Sequence, residues 1–166
     1  SKMKETDSVS RRKFISSTAL ASAAASFPYV ARGEALQSDT IRVAAIGLGG
    51  RGTGAIGQIL DAPKDLEKDK NIRCNTKLVA VADAFPEKAT NKIVAFKKKY
   101  GDDRVDVDGR IFGGIDGYKQ AINEDVDMVV IATPPGFKPQ QFEYAINQGK
   151  KVFMEKPVAS DVTGVR

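Results

Sequence analysis

Apolar residues in this chain fall into short unbroken runs, and between the runs they recur every three or four positions. A short run bounded by turn residues reads as a buried strand; the wider spacing reads as one face of a helix. The first run, Ile41 to Ile46, is apolar except for Arg42 and ends in a glycine-rich turn. A weak helix follows, with Ala55, Ile56, Ile59 and Leu60 on one side; Gly57 within it costs about 1 kcal/mol relative to Ala. Asp61 to Lys77 is polar and mixed in charge, and reads as a surface insertion holding Cys74. Leu78 to Ala82 is a second strand, closed by Asp83. The clearest helix has Pro86 at its first position and Gly101 just past its end, the usual asymmetry of helix termini. Its apolar face is Ala89, Ile93, Phe96 and Tyr100. Arg110 to Gly113 predicts a short third strand, followed by a brief helix over 116–123. Asp127 to Ala132 contains Met-Val-Val-Ile, typical of a strand covered on both faces. A helix around Pro139 to Gln148 is closed by Gly149, and Lys151 to Glu155 is a fifth strand. Strands alternating with helices imply right-handed crossovers and a parallel sheet. No hairpin turn separates the strands, so the fold class is α/β, doubly wound, in three layers.

Residues 1–40 break the pattern. Ser10-Arg11-Arg12-Lys13-Phe14-Ile15 precedes an uncharged stretch from Ser16 to Val30 that is rich in Ala and Ser, and Gly33-Glu34-Ala35 offers small residues for cleavage. A basic segment, a short weakly apolar one and a small-residue site, in that order, describe a secretory signal. The paired arginines resemble the twin-arginine (Tat) export signal. A transmembrane helix would need about 20 strongly apolar residues, and Ser16, Ser17, Thr18, Ser22, Ser26 and Pro28 interrupt this one. The expected organisation is an export signal over 1–35, a linker over 36–40 and one folded domain over 41–166. The Tat machinery is then a partner, and the location is periplasmic or otherwise extracytoplasmic.

Composition removes several kinds of chemistry. The 166 residues include no histidine and one cysteine. That excludes Ser-His-Asp and Cys-His catalysis, imidazole-built zinc sites and any disulfide within the chain; no metal is expected. The net charge is +5, but six of the 26 Lys and Arg lie in the first 40 residues. The later ones are scattered among acids without interleaved aromatics, which is not a nucleic-acid footprint.

The chemistry should gather at the strand ends. Gly47-Leu48-Gly49-Gly50-Arg51-Gly52 lies between the first strand and its helix, the context in which G-x-G-x-x-G binds a dinucleotide. In this Rossmann arrangement the first glycine makes the turn and the second lets backbone approach the pyrophosphate. The third lets helix pack on strand, and the helix N-terminus faces the phosphates. The alternative is a glycine-rich turn without a ligand. Asp83 ends the second strand, where a carboxylate accepts hydrogen bonds from the adenosine ribose. It stands farther from Gly52 than the usual ~20 residues, and the polar insertion accounts for the excess. A carboxylate there repels a 2′-phosphate, favouring NAD over NADP; Asp83 as a simple turn residue is the competing reading. Arg51 could meet either kind of phosphate. Thr133 and Pro134 after the fourth strand, and Glu155 and Lys156 after the fifth, reach the same sheet edge as the glycines. A partly desolvated lysine beside a cofactor becomes useful as an acid or base; an isolated Lys156 would otherwise be a solvated surface residue.

Together Ile46 to Gly52, Val81-Ala82-Asp83, Ala132-Thr133-Pro134-Pro135 and Gly149 to Pro157 resemble the Gfo/Idh/MocA family, over roughly Thr40 to Arg166. The resemblance implies an NAD(P)-dependent enzyme oxidising or reducing a hydroxyl on a sugar, inositol or related polyol. It implies that Lys156 lies near the nicotinamide and moves the proton, that Glu155 helps place cofactor and lysine, and that Thr133 and Pro134 line the nicotinamide ribose side. Many relatives carry a histidine shortly after the Thr-Pro segment. This chain reads Gly136-Phe137-Lys138, and the resemblance carries no role onto that stretch. The family continues into a second α/β domain that supplies most substrate contacts. The chain is therefore expected to be truncated before it, to bind cofactor alone and to turn over little. Two other functions remain: an NAD-dependent glycosidase, since a similar branch cleaves glycosidic bonds by transient oxidation, and a non-catalytic dinucleotide-binding module. The sequence is compatible with a homo-oligomer and leaves the substrate open.

Overall fold

The structure, a computed structural model, describes residues 40–70 and 74–165. The expected export signal and all but the last residue of the linker lie outside the described residues. Thr40 is already the first residue of β1.

In chain order the elements are β1 (Thr40–Ile46), α1 (Gly50–Lys70), β2 (Asn75–Asp83), α2 (Pro86–Tyr100), β3 (Ile111–Gly113), α3 (Gly117–Asn123), β4 (Met128–Ile131), α4 (Lys138–Asn147), β5 (Lys151–Met154) and α5 (Val162–Val165). A single 3-10 turn, Pro135–Phe137, leads into α4. The five strands form one sheet in the order β3-β2-β1-β4-β5, and every pairing is parallel. The chain winds outward from β1 through β2 to β3, then returns to start β4 on the other side of β1. That reversal leaves a crevice beyond the carboxyl ends of β1 and β4, the usual ligand position in such sheets.

The alternation of side chains along β1 sorts the core into two layers. Val43 and Ala45 pack with Ile56 and Leu60 of α1 and with Ala89, Ile93 and Phe96 of α2. Ala44 and Ile46 pack with Tyr118, Ala121 and Ile122 of α3 and Ala145 of α4. The doubly wound three-layer expectation therefore holds, with one bulge. The register between β1 and β2 slips between Val43 and Ala44, so Val79 and Ala80 both face the α3 side while Leu78 and Val81 face α1. An extra residue in one strand reverses the facing of everything beyond it, and here that includes Asp83. The Val79 carbonyl is held by the Arg110 guanidinium at 2.7 Å.

The insertion expected over 61–77 is mostly regular. Helix α1 runs to Lys70, with Pro63 inside it, and β2 begins at Asn75. Pro63 cannot donate to the Ile59 carbonyl. The Thr76 hydroxyl takes that carbonyl at 2.9 Å, and Arg104 donates to the neighbouring Leu60 carbonyl at 2.8 Å.

Candidate functional site

The turn after β1 is built from glycines for three different reasons. Gly47 has φ +86°, and its amide donates to the Ala82 carbonyl at 2.8 Å. Only glycine adopts that backbone without cost. A Cβ on Gly52 would lie 1.9 Å from the Gly47 carbonyl oxygen, so the third glycine is what lets α1 start against the turn. Gly49 and Gly50 have nothing within 4 Å of where a Cβ would be. Their backbone borders open space. Helix α1 begins there, and the first intrahelical bond runs from the Thr53 amide to the Gly49 carbonyl at 2.9 Å. The amides before Thr53 have no intrahelical acceptor and carry the positive end of the helix dipole.

Both oxygens of Asp83 are engaged. Oδ2 accepts from the Leu48 amide at 2.7 Å and Oδ1 from the Phe85 amide at 2.9 Å. The carboxylate thus pins the glycine turn to the end of β2. On the other side Arg51 donates to Glu155 Oε2 at 3.1 Å, tying the same turn to the segment after β5. Thr133, after β4, donates to Gln141 Oε1 of α4 at 2.6 Å. Lys138, one turn earlier on α4, is only 2% exposed. Its ammonium donates to the carbonyls of Glu155 at 2.5 Å, Pro157 at 2.9 Å and Lys156 at 3.2 Å. Burial pushes the Lys138 pKa below the ordinary lysine value; the Glu155 carboxylate opposes that shift and the Lys156 charge adds to it.

These segments enclose a cavity of about 630 Å³, within the usual size of a small-molecule site. The glycine turn contributes Gly47, Gly49, Gly50 and Arg51, and β2 contributes Asp83, Ala84 and Phe85. Gly114, Ile115 and Tyr118 close the β3 side; Thr133, Pro134, Phe137 and Gln141 close the β4 side. Phe85 and Ile115 are 58% and 62% exposed, so two large apolar side chains stand open at one end. The form suits a dinucleotide: bare backbone and a helix N-terminus for phosphates, a carboxylate at the β2 end for ribose hydroxyls, and an apolar cleft beyond it.

Residues 41–166 match the family model described as "Oxidoreductase family, NAD-binding Rossmann fold". The chain belongs to the Gfo/Idh/MocA family. A relative from Phocaeicola vulgatus, "Glycosyl hydrolase family 109 protein 1", is 32% identical over 124 residues, covering 73% of this chain and 23% of the relative. Among solved structures, scyllo-inositol dehydrogenase from Lactobacillus casei with bound NAD(H) and scyllo-inositol is 30% identical, with a TM-score of 0.54. It covers 76% of this chain and 31% of its own. Myo-inositol 2-dehydrogenase from Lactobacillus plantarum is 28% identical over the same shares, with a TM-score of 0.55. The chain spans about a quarter of the curated relative and about a third of the solved enzymes.

Within this Gfo/Idh/MocA Rossmann domain, most of the residues singled out from sequence converge. Gly47, Gly49, Gly50, Arg51, Asp83, Thr133 and Pro134 line one cavity. Leu48 points into the core and offers the site only its amide. Gly52 acts through packing. Glu155 reaches the cavity rim through Arg51, while Lys156 is exposed beyond it. Lys138 and Gln141 were missed. Each is a polar residue one turn apart in a mostly polar helix, a pattern that sequence alone assigns to solvent.

Proposed function

We propose that this chain is the NAD-binding half of an oxidoreductase acting on a hydroxyl of a sugar, inositol or related polyol. The observation that carries the proposal is the cavity at the strand-order reversal, where an open glycine turn and Asp83 face each other. In this reading the Gly49 and Gly50 backbone and the α1 amides receive the pyrophosphate, with Gly47 and Gly52 shaping the turn and Leu48 linking it to Asp83. Asp83 accepts from the adenosine ribose and disfavours a 2′-phosphate, so NAD is preferred to NADP. Phe85 and Ile115 flank the adenine, and Thr133 and Pro134 line the nicotinamide ribose. NAD supplies a hydride acceptor. Lys156, at the rim, would move the hydroxyl proton during oxidation to the carbonyl, while Glu155 and Arg51 hold the rim. In the intact enzyme, Lys156→Ala is expected to abolish turnover with NAD affinity changed by less than a few-fold. Unchanged turnover removes the lysine's role and favours a non-catalytic binding module.

The glycosyl hydrolase relative supports a second reading, transient oxidation leading to glycoside cleavage. A panel of polyols and aryl glycosides separates the two: net NADH formation with a free polyol marks the dehydrogenase, and glycoside cleavage without net NADH marks the hydrolase. We also propose that residues 1–35 are a Tat signal and that the protein works outside the cytoplasm, on the strength of Arg11-Arg12 and the uncharged stretch behind them. Replacing both arginines by lysine should retain the protein in the cytoplasm; continued export refutes the assignment.

A further inference from the structure

Lys138 occupies a place where a lysine is expensive. It is almost fully buried, and lysines are almost never so buried unless paired. It is also the first residue of α4, where the helix dipole opposes a cation. A methionine or leucine of similar volume would pack there without either cost. What the ammonium supplies instead is direction. Its three N–H donors meet three successive carbonyls, those of Glu155, Lys156 and Pro157, which uses the group's whole capacity.

Those carbonyls need a partner because the sheet has ended. The last ladder bond on β5 runs from the Glu155 amide to the Ile131 carbonyl at 2.9 Å, and beyond it the chain leaves the ladder. Gln141 lies three residues along α4, on the same helix face, and holds Thr133. The opening of α4 therefore brackets the ends of β4 and β5 together.

We propose that Lys138 is a positioning residue, whose ammonium gathers the 155–157 backbone and so fixes where Glu155 and Lys156 project at the rim of the nucleotide cavity. The inference rests on the proton-transfer role proposed above for Lys156. It gives the Gly136-Phe137-Lys138 stretch a structural role, in which the lysine side chain acts on backbone and not on substrate or cofactor.

The test uses the 15N,13C-labelled chain and NADH as probe. In the wild type, the Lys138 ammonium should exchange its protons slowly and show scalar couplings across hydrogen bonds to the 155–157 carbonyl carbons. Their absence overturns the proposal without any variant. Lys138→Met should displace the Glu155 and Lys156 amide signals and remove their response to NADH. The Leu48 and Gly49 amides should still respond, with NADH affinity within threefold. Lys138→Arg, which keeps a multi-donor cation, should restore the Glu155 and Lys156 response. Unmoved Glu155 and Lys156 signals in folded Lys138→Met refute the positioning role. If the wild-type Leu48 and Gly49 amides ignore NADH, the nucleotide reading fails instead, and the two failures are distinct.

Discussion

Gly52 has a backbone oxygen where a side chain would begin, and backbone cannot rotate away as a flexible side chain can. With its Cβ 1.9 Å from the Gly47 carbonyl oxygen, Gly52→Ala must push α1 off the turn. The expected cost is about 3 kcal/mol, the upper end for overpacking, with NADH affinity falling at least tenfold. Gly54 serves as the control. It is exposed within α1 and has nothing within 4 Å of a Cβ, so Gly54→Ala should add about 0.5–1 kcal/mol. Urea unfolding of both variants checks the contrast, and equal effects would discredit the steric account. Asp83 invites a different substitution. Because its carboxylate accepts from two backbone amides, Asp83→Ala would confuse loss of charge with loss of the turn. Asp83→Asn keeps one acceptor and removes the charge. It should lose about 1–2 kcal/mol of stability and move the NADP-to-NAD affinity ratio toward NADP by about tenfold, or 1.4 kcal/mol. An unchanged ratio in paired titrations contradicts the ribose contact. These glycines and Asp83 were legible because their spacing and strand context carry meaning. Lys138 and Gln141 were not, because burial of a polar side chain leaves no periodic trace.

At the scale of elements, the strands and α2 could be read from the sequence because their apolar positions repeat without interruption. The second half of α1 could not. From Asp61 onward it presents Lys64, Asp65, Glu67, Lys68 and Asp69, while Pro63 is the one buried residue from Asp61 to Asp69. Without an apolar stripe, and with a helix breaker in place, the pattern resembles a loop. The helix survives because other elements take the Ile59 carbonyl that the proline strands and brace the Leu60 carbonyl beside it. Thr76 Oγ1 bonds the Ile59 carbonyl, and Arg104 bonds the Leu60 carbonyl and Thr76 itself. Thr76→Val should therefore cost about 1–2 kcal/mol, the penalty for an unsatisfied buried acceptor. In a Pro63→Ala background, the new amide can serve Ile59 by the ordinary helical bond, and the same substitution should cost less than half as much. A double-mutant cycle measures the coupling; strict additivity would mean that Thr76 does not replace the missing helix donor.

Across the whole molecule, the contacts around the cavity close on themselves. Asp83 ties the glycine turn to β2, Arg51 ties it to the segment after β5, and Lys138 ties that segment to α4. Gln141 returns from α4 to Thr133 at the end of β4, beside Gly47, whose absent Cβ would meet the Thr133 methyl at 3.1 Å. A ligand seated in the cavity contacts the glycine turn, the end of β2, the segment after β4 and Gln141 of α4, which unfolding must separate. It binds the native state alone, and its binding free energy therefore adds to stability. At 100 times its dissociation constant, NAD should add about 2.7 kcal/mol, which for a domain of this size raises Tm by about 10 °C. NADP at the same concentration should raise it by only a few degrees, and Asp83→Asn should bring the two shifts closer together. A Tm that ignores NAD over a thousandfold concentration range would mean that the ring encloses no nucleotide site. Equal shifts from NAD and NADP in the wild type would preserve the site but remove Asp83 as its selector.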